Sequence, residues 1–177
     1  MQKIIIASNH LASIGYPIPE GTVVRLNLAW VKSKEEAAAV LREITHPVYL
    51  DYPQGRSKPP VPTISMEDAI DLANLFAAKV RFFAVSNVES GLMVNNLKEV
   101  LHEDIQVVPK IETIPGVQFL DEIIKTSGVR YIMLDKEDLY TSVKADQREY
   151  NKLVCEARMV CNASGVTCLE LQGVIFS

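Results

Sequence analysis

Two short segments of this chain carry the residue types of a metal-assisted reaction. The first is V-P-K-I-E-T at residues 108–113, with Lys110 and Glu112 two positions apart. Side chains alternate faces along a strand, so Lys110 and Glu112 point together while Pro109 and Ile111 point the other way. The second is L-D-K-E-D-L at residues 134–139, which offers Asp135, Glu137 and Asp138 at the end of the following apolar run. If both runs are strands of one parallel sheet, Glu112 and one of those three acids meet at the same end. Two oxygen ligands with open positions suit Mg²⁺ or Mn²⁺, which keep water or substrate oxygens in the remaining places. A lysine beside such an ion can stabilise an enolate as charge grows on it. The plainer alternative is a buried Lys110–Glu112 ion pair and a solvated acidic loop, and spacing alone leaves both open.

Other groups are weaker on their own. In V-V-R-L-N-L at residues 23–28, Arg25 and Asn27 share one face, opposite Val24, Leu26 and Leu28. An arginine at a strand end can hold a carboxylate or phosphate bidentately, or pair with an acid of the next strand. His10, His46 and His102 lie in loops or helix ends without metal-ligand spacing. Cys155, Cys161 and Cys168 are odd in number and form no C-x-x-C, which argues against zinc or a disulfide framework and for small packing residues in a reducing cytoplasm.

The elements that must position these groups alternate regularly. Strands are expected at 3–7, 22–28, 48–51, 81–86, 105–112, 129–135 and 166–170, rich in Val and Ile as parallel strands buried on both faces should be. Ser33 and Glu36 form a capping box ahead of a helix over 35–44, and Ser65 caps a helix over 66–79. Met93, Leu97, Val100 and Leu101 form one helical face, and Tyr150, Leu153, Val154, Ala157 and Cys161 another. Gly128 and Gly165 stand where helices should stop. This order demands a parallel sheet with helical crossovers. Polar residues at the ends of several strands (Asn27, Asp51, Ser86, Glu112, Asp135, Glu170) favour a TIM-barrel-like (β/α) barrel over an open doubly wound sheet. Only residues 173–177 remain for an eighth strand, so the barrel is expected to be degenerate or incomplete, as a single domain over residues 1–177, with a neighbouring subunit in a homo-oligomer as one way to complete it. A hydrophobic content of 48% supplies the core, and a net charge of −4 argues against a general nucleic-acid surface. The apolar start of the chain is too short for a membrane span, and a cytoplasmic location is expected.

Taken in order, these segments resemble the barrel of pyruvate kinase. K-I-I-I-A-S-N-H is similar to its opening strand, V-V-R-L-N-L-A-W to its A-R-L-N-F-S-H, and V-Y-L-D-Y-P-Q-G-R-S-K to its L-D-x-x-G-P-x-x-R. V-R-F-F-A-V-S-N-V-E-S resembles V-D-x-x-x-x-S-F-V-R-S, and V-V-P-K-I-E-T-I-P-G-V-Q-F-L-D-E-I-I resembles I-x-x-K-I-E-N-x-x-G-V-x-N-x-D-E-I. Y-I-M-L-D-K-E-D-L-Y follows as G-I-M-V-A-R-G-D-L-G. The resemblance implies Glu112 and Asp138 as the ligands of Mg²⁺ or Mn²⁺, and Lys110 as the group that steadies the enolate and the transferring phosphoryl group. It also implies Arg25 as the phosphoryl-binding arginine, Ser86 near the substrate, and Asn27 and Asp51 as part of a K⁺ site. The chain departs from the family where residues 54–65 pass straight to the next helix without the lid domain, and where the C-terminal domain is absent. Ala29 replaces a cation-site serine, Trp30 a histidine near the nucleotide, and Glu137 a glycine whose amide holds the substrate carboxylate; Glu170 falls near a proton-relaying threonine.

The expectation is a pyruvate-kinase-like metal enzyme acting on a small anionic 2-keto or enol acid such as pyruvate, phosphoenolpyruvate or oxaloacetate. Two rivals stand beside it. The I-E-T and E-D-L segments are also similar to the HpcH/citrate-lyase β family, which implies a carbon–carbon lyase. The missing lid and strand suit a non-catalytic barrel kept as a binding or assembly module.

Overall fold

Each Val- and Ile-rich run from residue 22 onward becomes a strand close to its expected bounds. The computed structural model describes residues 6–8, 17–55 and 60–170. It divides the chain into two units, residues 1–85 with 100–106 and residues 86–99 with 107–177. The first unit contains β1 (Ile6–Ser8), β2 (Val23–Asn27), β3 (Val48–Tyr52) and β4 (Val80–Val85). The three pairings β1–β2, β2–β3 and β3–β4 are all parallel. Ile6–Ser8 is the described part of the first expected strand; the segment at 173–177 lies outside the described residues.

Among the described residues this unit has two α-helices. Helix α1 (Lys34–Glu43) starts where the Ser33 hydroxyl accepts from the Glu36 N–H, and α2 (Met66–Leu75) where Ser65 accepts from Asp68 N–H. The capping box is only half formed, because the Glu36 carboxylate accepts from Lys32 N–H at 2.7 Å instead of from Ser33. The second helix is shorter than the expected 66–79. The N–H groups of Lys79 and Val80 both turn back onto the Phe76 carbonyl, which closes the chain into β4. Ala37, Ala38 and Leu41 on α1, with Ala69, Leu72 and Ala73 on α2, are buried, as are Leu26, Tyr49, Leu50, Phe82 and Phe83 on the strands. Lys79 ties this unit together at a helix end. Its ammonium donates to the carbonyls of Leu41, Arg42 and Ile44 at 3.0, 3.0 and 2.9 Å, where the last turn of α1 leaves acceptors without intrahelical partners.

The second unit pairs β5 (Gln106–Ile111) with β6 (Tyr131–Leu134), and β6 with β7 (Thr167–Glu170), again in parallel. Its helices are α3 (Gly91–Val100), α4 (Ile114–Gln118), α5 (Leu120–Ser127), α6 (Lys136–Ser142) and α7 (Gln147–Ser164). Gly128 and Gly165, at φ of 60° and 67°, end α5 and α7 in the left-handed conformation, as expected from sequence. The buried face of α7 is Leu153, Val154, Ala157 and Cys161. On α3 the buried face is Gly91, Val94 and Leu97, and Val100, expected inside, is 51% exposed. Gly91 sets that face. A Cβ there would lie 2.6 Å from the Thr126 Cβ, so only glycine lets α3 approach α5 this closely. Cys155 is exposed and so is not the packing residue its sequence context suggested. No described helix is long and apolar enough to cross a membrane.

Candidate metal centre

The site is built at the carboxyl ends of β5 and β6. Lys110 pairs with Met133 and Ile111 with Leu134 across these strands, so the same register carried one step further sets Glu112 beside Asp135. The Asp135 N–H donates to the Ile111 carbonyl at 3.1 Å and fixes that juxtaposition through the main chain. Asp135 is also the N-cap of α6, where its carboxylate accepts from the Asp138 N–H, and Asp138 lies in the first turn. One carboxylate oxygen from each of Glu112, Asp135 and Asp138 can be chosen so that all three lie within 4.8 Å of one another.

Lys110 anchors the inner side of this cluster. It is 4% exposed, and its ammonium lies 2.6 Å from Glu112 Oε1, 3.3 Å from Asp135 Oδ2 and 3.3 Å from Ser86 Oγ. Glu112 Oε1 is therefore partnered by the ammonium, and among the described residues it has no hydrogen-bond donor besides it. The other oxygen, Oε2, accepts from the Asn87 N–H at 3.0 Å. Asn87 is held in the left-handed region, at φ of 56°. Burial pushes the Glu112 carboxyl above the usual carboxylate range, opposed by Lys110 and the Asn87 N–H, while Asp135 adds to the push.

A carboxylate oxygen has two lone pairs, and the Lys110 ammonium occupies one of those on the buried Glu112 Oε1. Three carboxylates this close repel one another, and one ammonium does not neutralise them. Both features fit a hard divalent cation with oxygen ligands, and the residues present can hold one. Sequence spacing had offered Asp135, Glu137 and Asp138 as alternatives, and the resemblance selected Asp138. The structure brings both Asp135 and Asp138 to Glu112. Asn87 had no sequence signal, because it acts through its backbone N–H.

The remaining expected residues have partners of their own. In the first unit, Arg25 Nε donates to Asp51 Oδ2 at 2.8 Å and its Nη2 pairs with the same oxygen, so the strand-to-strand ion pair is formed. The Asn27 side chain accepts from Ala29 N–H at 3.0 Å and starts the short helical turn Leu28–Trp30. Trp30 is 63% exposed. In the second unit, Glu170 is held by Arg158 through two bonds of 2.7 Å and by Lys136 at 3.3 Å, which keeps its carboxyl below the usual range.

No protein-family model matches the chain. It is 32% identical over 111 residues to pyruvate kinase from Dictyostelium discoideum, covering 59% of this chain and 20% of that protein. The chain thus spans about a fifth of the length of this curated relative. Among solved structures, it is similar to an HpcH/HpaI aldolase/citrate lyase family protein from Burkholderia cenocepacia. That match has a TM-score of 0.69 and 13% identity over 94% of this chain and 79% of the other. It is also similar to the citrate synthase SbnG, with a TM-score of 0.66 and 17% identity over 96% of this chain and 77% of the other. The fold is therefore α/β and TIM-barrel-like, an incomplete barrel, with pyruvate kinases as sequence relatives and a carboxylate cluster able to hold a metal ion.

Proposed function

We propose that this chain is a divalent-metal-dependent enzyme acting on a small 2-keto or enol acid of the pyruvate, phosphoenolpyruvate or oxaloacetate type. The observation that carries this reading is the cluster of three carboxylates, Glu112, Asp135 and Asp138, which the single Lys110 ammonium does not neutralise. Glu112 and Asp138 would hold Mg²⁺ or Mn²⁺, which when bound would supply Lewis-acid polarisation of a carbonyl oxygen. Lys110, fixed by Ser86 and the two neighbouring acids, presents its ammonium where an enolate oxygen gains charge. The surrounding burial strengthens that interaction by excluding water. Breaking the bond between C3 and the C4 carboxylate of oxaloacetate sends its electrons into such an enolate as carbon dioxide leaves, and a proton then completes pyruvate. Phosphoryl transfer is the less favoured activity, because Trp30 and Glu137 stand where the family resemblance expects a histidine and a glycine. Carbon–carbon cleavage of the aldolase type draws support from the shared fold over 94% of the chain.

Titration with Mn²⁺ tests the centre directly. Binding is expected in the unmodified protein and is expected to be lost in Glu112→Gln, with oxaloacetate decarboxylation falling alongside it. Parallel assays of decarboxylation and retro-aldol cleavage separate the two enzyme readings. Absence of Mn²⁺ binding, or binding indifferent to Glu112→Gln, removes the basis of both.

A further inference from the structure

We infer that Asp135 is a third carboxylate of this centre that sets its charge, and that it selects against the more highly charged anionic ligands. The inference rests on the metal reading above and asks what this chain's own residues make of it. In the segment matched to G-I-M-V-A-R-G-D-L-G, Asp135 stands where the resembled sequence has alanine, so the acid is a feature of this chain. It is not a bystander on a loop. Its side chain is 12% exposed, it lies 3.3 Å from the Lys110 ammonium, and its carboxylate belongs to the same cluster as those of Glu112 and Asp138. Glu112 Oε1 has the Lys110 ammonium at 2.6 Å and, among the described residues, no hydrogen-bond donor besides it, which leaves a lone pair for a cation within that cluster.

Glu112, Asp138 and Lys110 together carry one net negative charge, and a divalent cation turns that into one net positive charge. Such a centre attracts a dianion. With Asp135 included the empty cluster carries two net negative charges, and the loaded centre is neutral. The third acid therefore strengthens binding of the cation and weakens binding of a dianion to the loaded centre. Lys110 divides its ammonium between Glu112 and Asp135, which further reduces what it offers an arriving anion. The penalty grows with each charge the ligand carries, so 2-keto acids fit better than their more highly charged phosphorylated counterparts.

The test uses Asp135→Asn, which removes the charge and keeps an oxygen able to cap α6. Mn²⁺ binding and the binding of oxalate to the Mn²⁺-loaded protein are both measured by titration. The variant is expected to bind Mn²⁺ about tenfold or more weakly and to bind oxalate more tightly once loaded, two shifts of opposite sign. A merely structural loss moves both in the same direction, and that result, or no change in either, overturns the inference while leaving the metal reading in place. Failure of the unmodified protein to bind Mn²⁺ overturns the metal reading and this inference together. Asp135→Ala, which matches the resembled sequence, provides the second variant, with the same pair of opposite shifts expected.

Discussion

Replacing Lys110 by methionine keeps the volume of the side chain and removes its charge from the least solvated part of the centre. At an effective dielectric of about 20, an ammonium 2.6 Å from one carboxylate oxygen and 3.3 Å from another gains about 6 and about 5 kcal/mol of gross attraction. Most of that is cancelled by the cost of taking the ammonium itself out of water, which the variant no longer bears. What remains is the penalty of leaving buried acids without a cation, about 3–5 kcal/mol. The pH dependence carries the sign. Burial already raises the Glu112 carboxyl above its ordinary range, and removing Lys110 removes the largest influence holding it down. A carboxyl with a raised folded-state pKa binds its proton more tightly in the folded protein. The destabilisation is therefore fully present above that pKa and fades as pH falls through it. Urea unfolding of Lys110→Met and the unmodified protein at pH 8 and at pH 5.5 is the assay. The stability gap is expected to be large at the higher pH and to shrink at the lower one. A divalent cation at about 100 times its dissociation constant should return about 2.7 kcal/mol to the variant. Equal stability of the two proteins at pH 8, or a gap that pH does not alter, would refute the account of Glu112 as a buried charge held by Lys110.

Gly91→Ala is expected to cost about 1–3 kcal/mol, because the added methyl meets the Thr126 Cβ at 2.6 Å and the Ile123 carbonyl oxygen at 3.2 Å; urea unfolding measures it, and an unchanged midpoint would show that α3 and α5 are not in close contact. Lys79→Met is expected to cost about 1.5–3 kcal/mol, since three carbonyls near the end of α1 lose a charged donor. That loss should be accompanied by faster amide exchange in the last turn of α1.

Much of the fold was legible because parallel strands and their helices impose different periods on the sequence. The run at 48–51 reappears as Val48–Tyr52, and Gly128 and Gly165 end their helices where only a left-handed residue serves. Lys110 and Glu112 were legible for the same reason, as two charged residues at alternate positions of an otherwise apolar strand. Asp135 was not separable from Glu137 and Asp138. Strand β6 ends at Leu134, so alternation no longer dictates where the next side chain points. Its orientation is decided by its role as the cap of α6 and by its backbone bond to Ile111. The misplacement of Val100 has a similar origin. A hydrophobic pattern does not reveal that α3 is rotated so that Gly91 can meet α5.

The Asn87 N–H that holds Glu112 Oε2 gives the centre an unusual robustness to mutation. A donor on the main chain survives every side-chain replacement except proline, which has none. The left-handed backbone there narrows the tolerated residues by shape rather than by chemistry, and glycine satisfies it without strain. The carboxylate is thus preorganised by the course of the chain itself, and a cation arriving at its other oxygen finds a ligand with little rotational freedom left to lose.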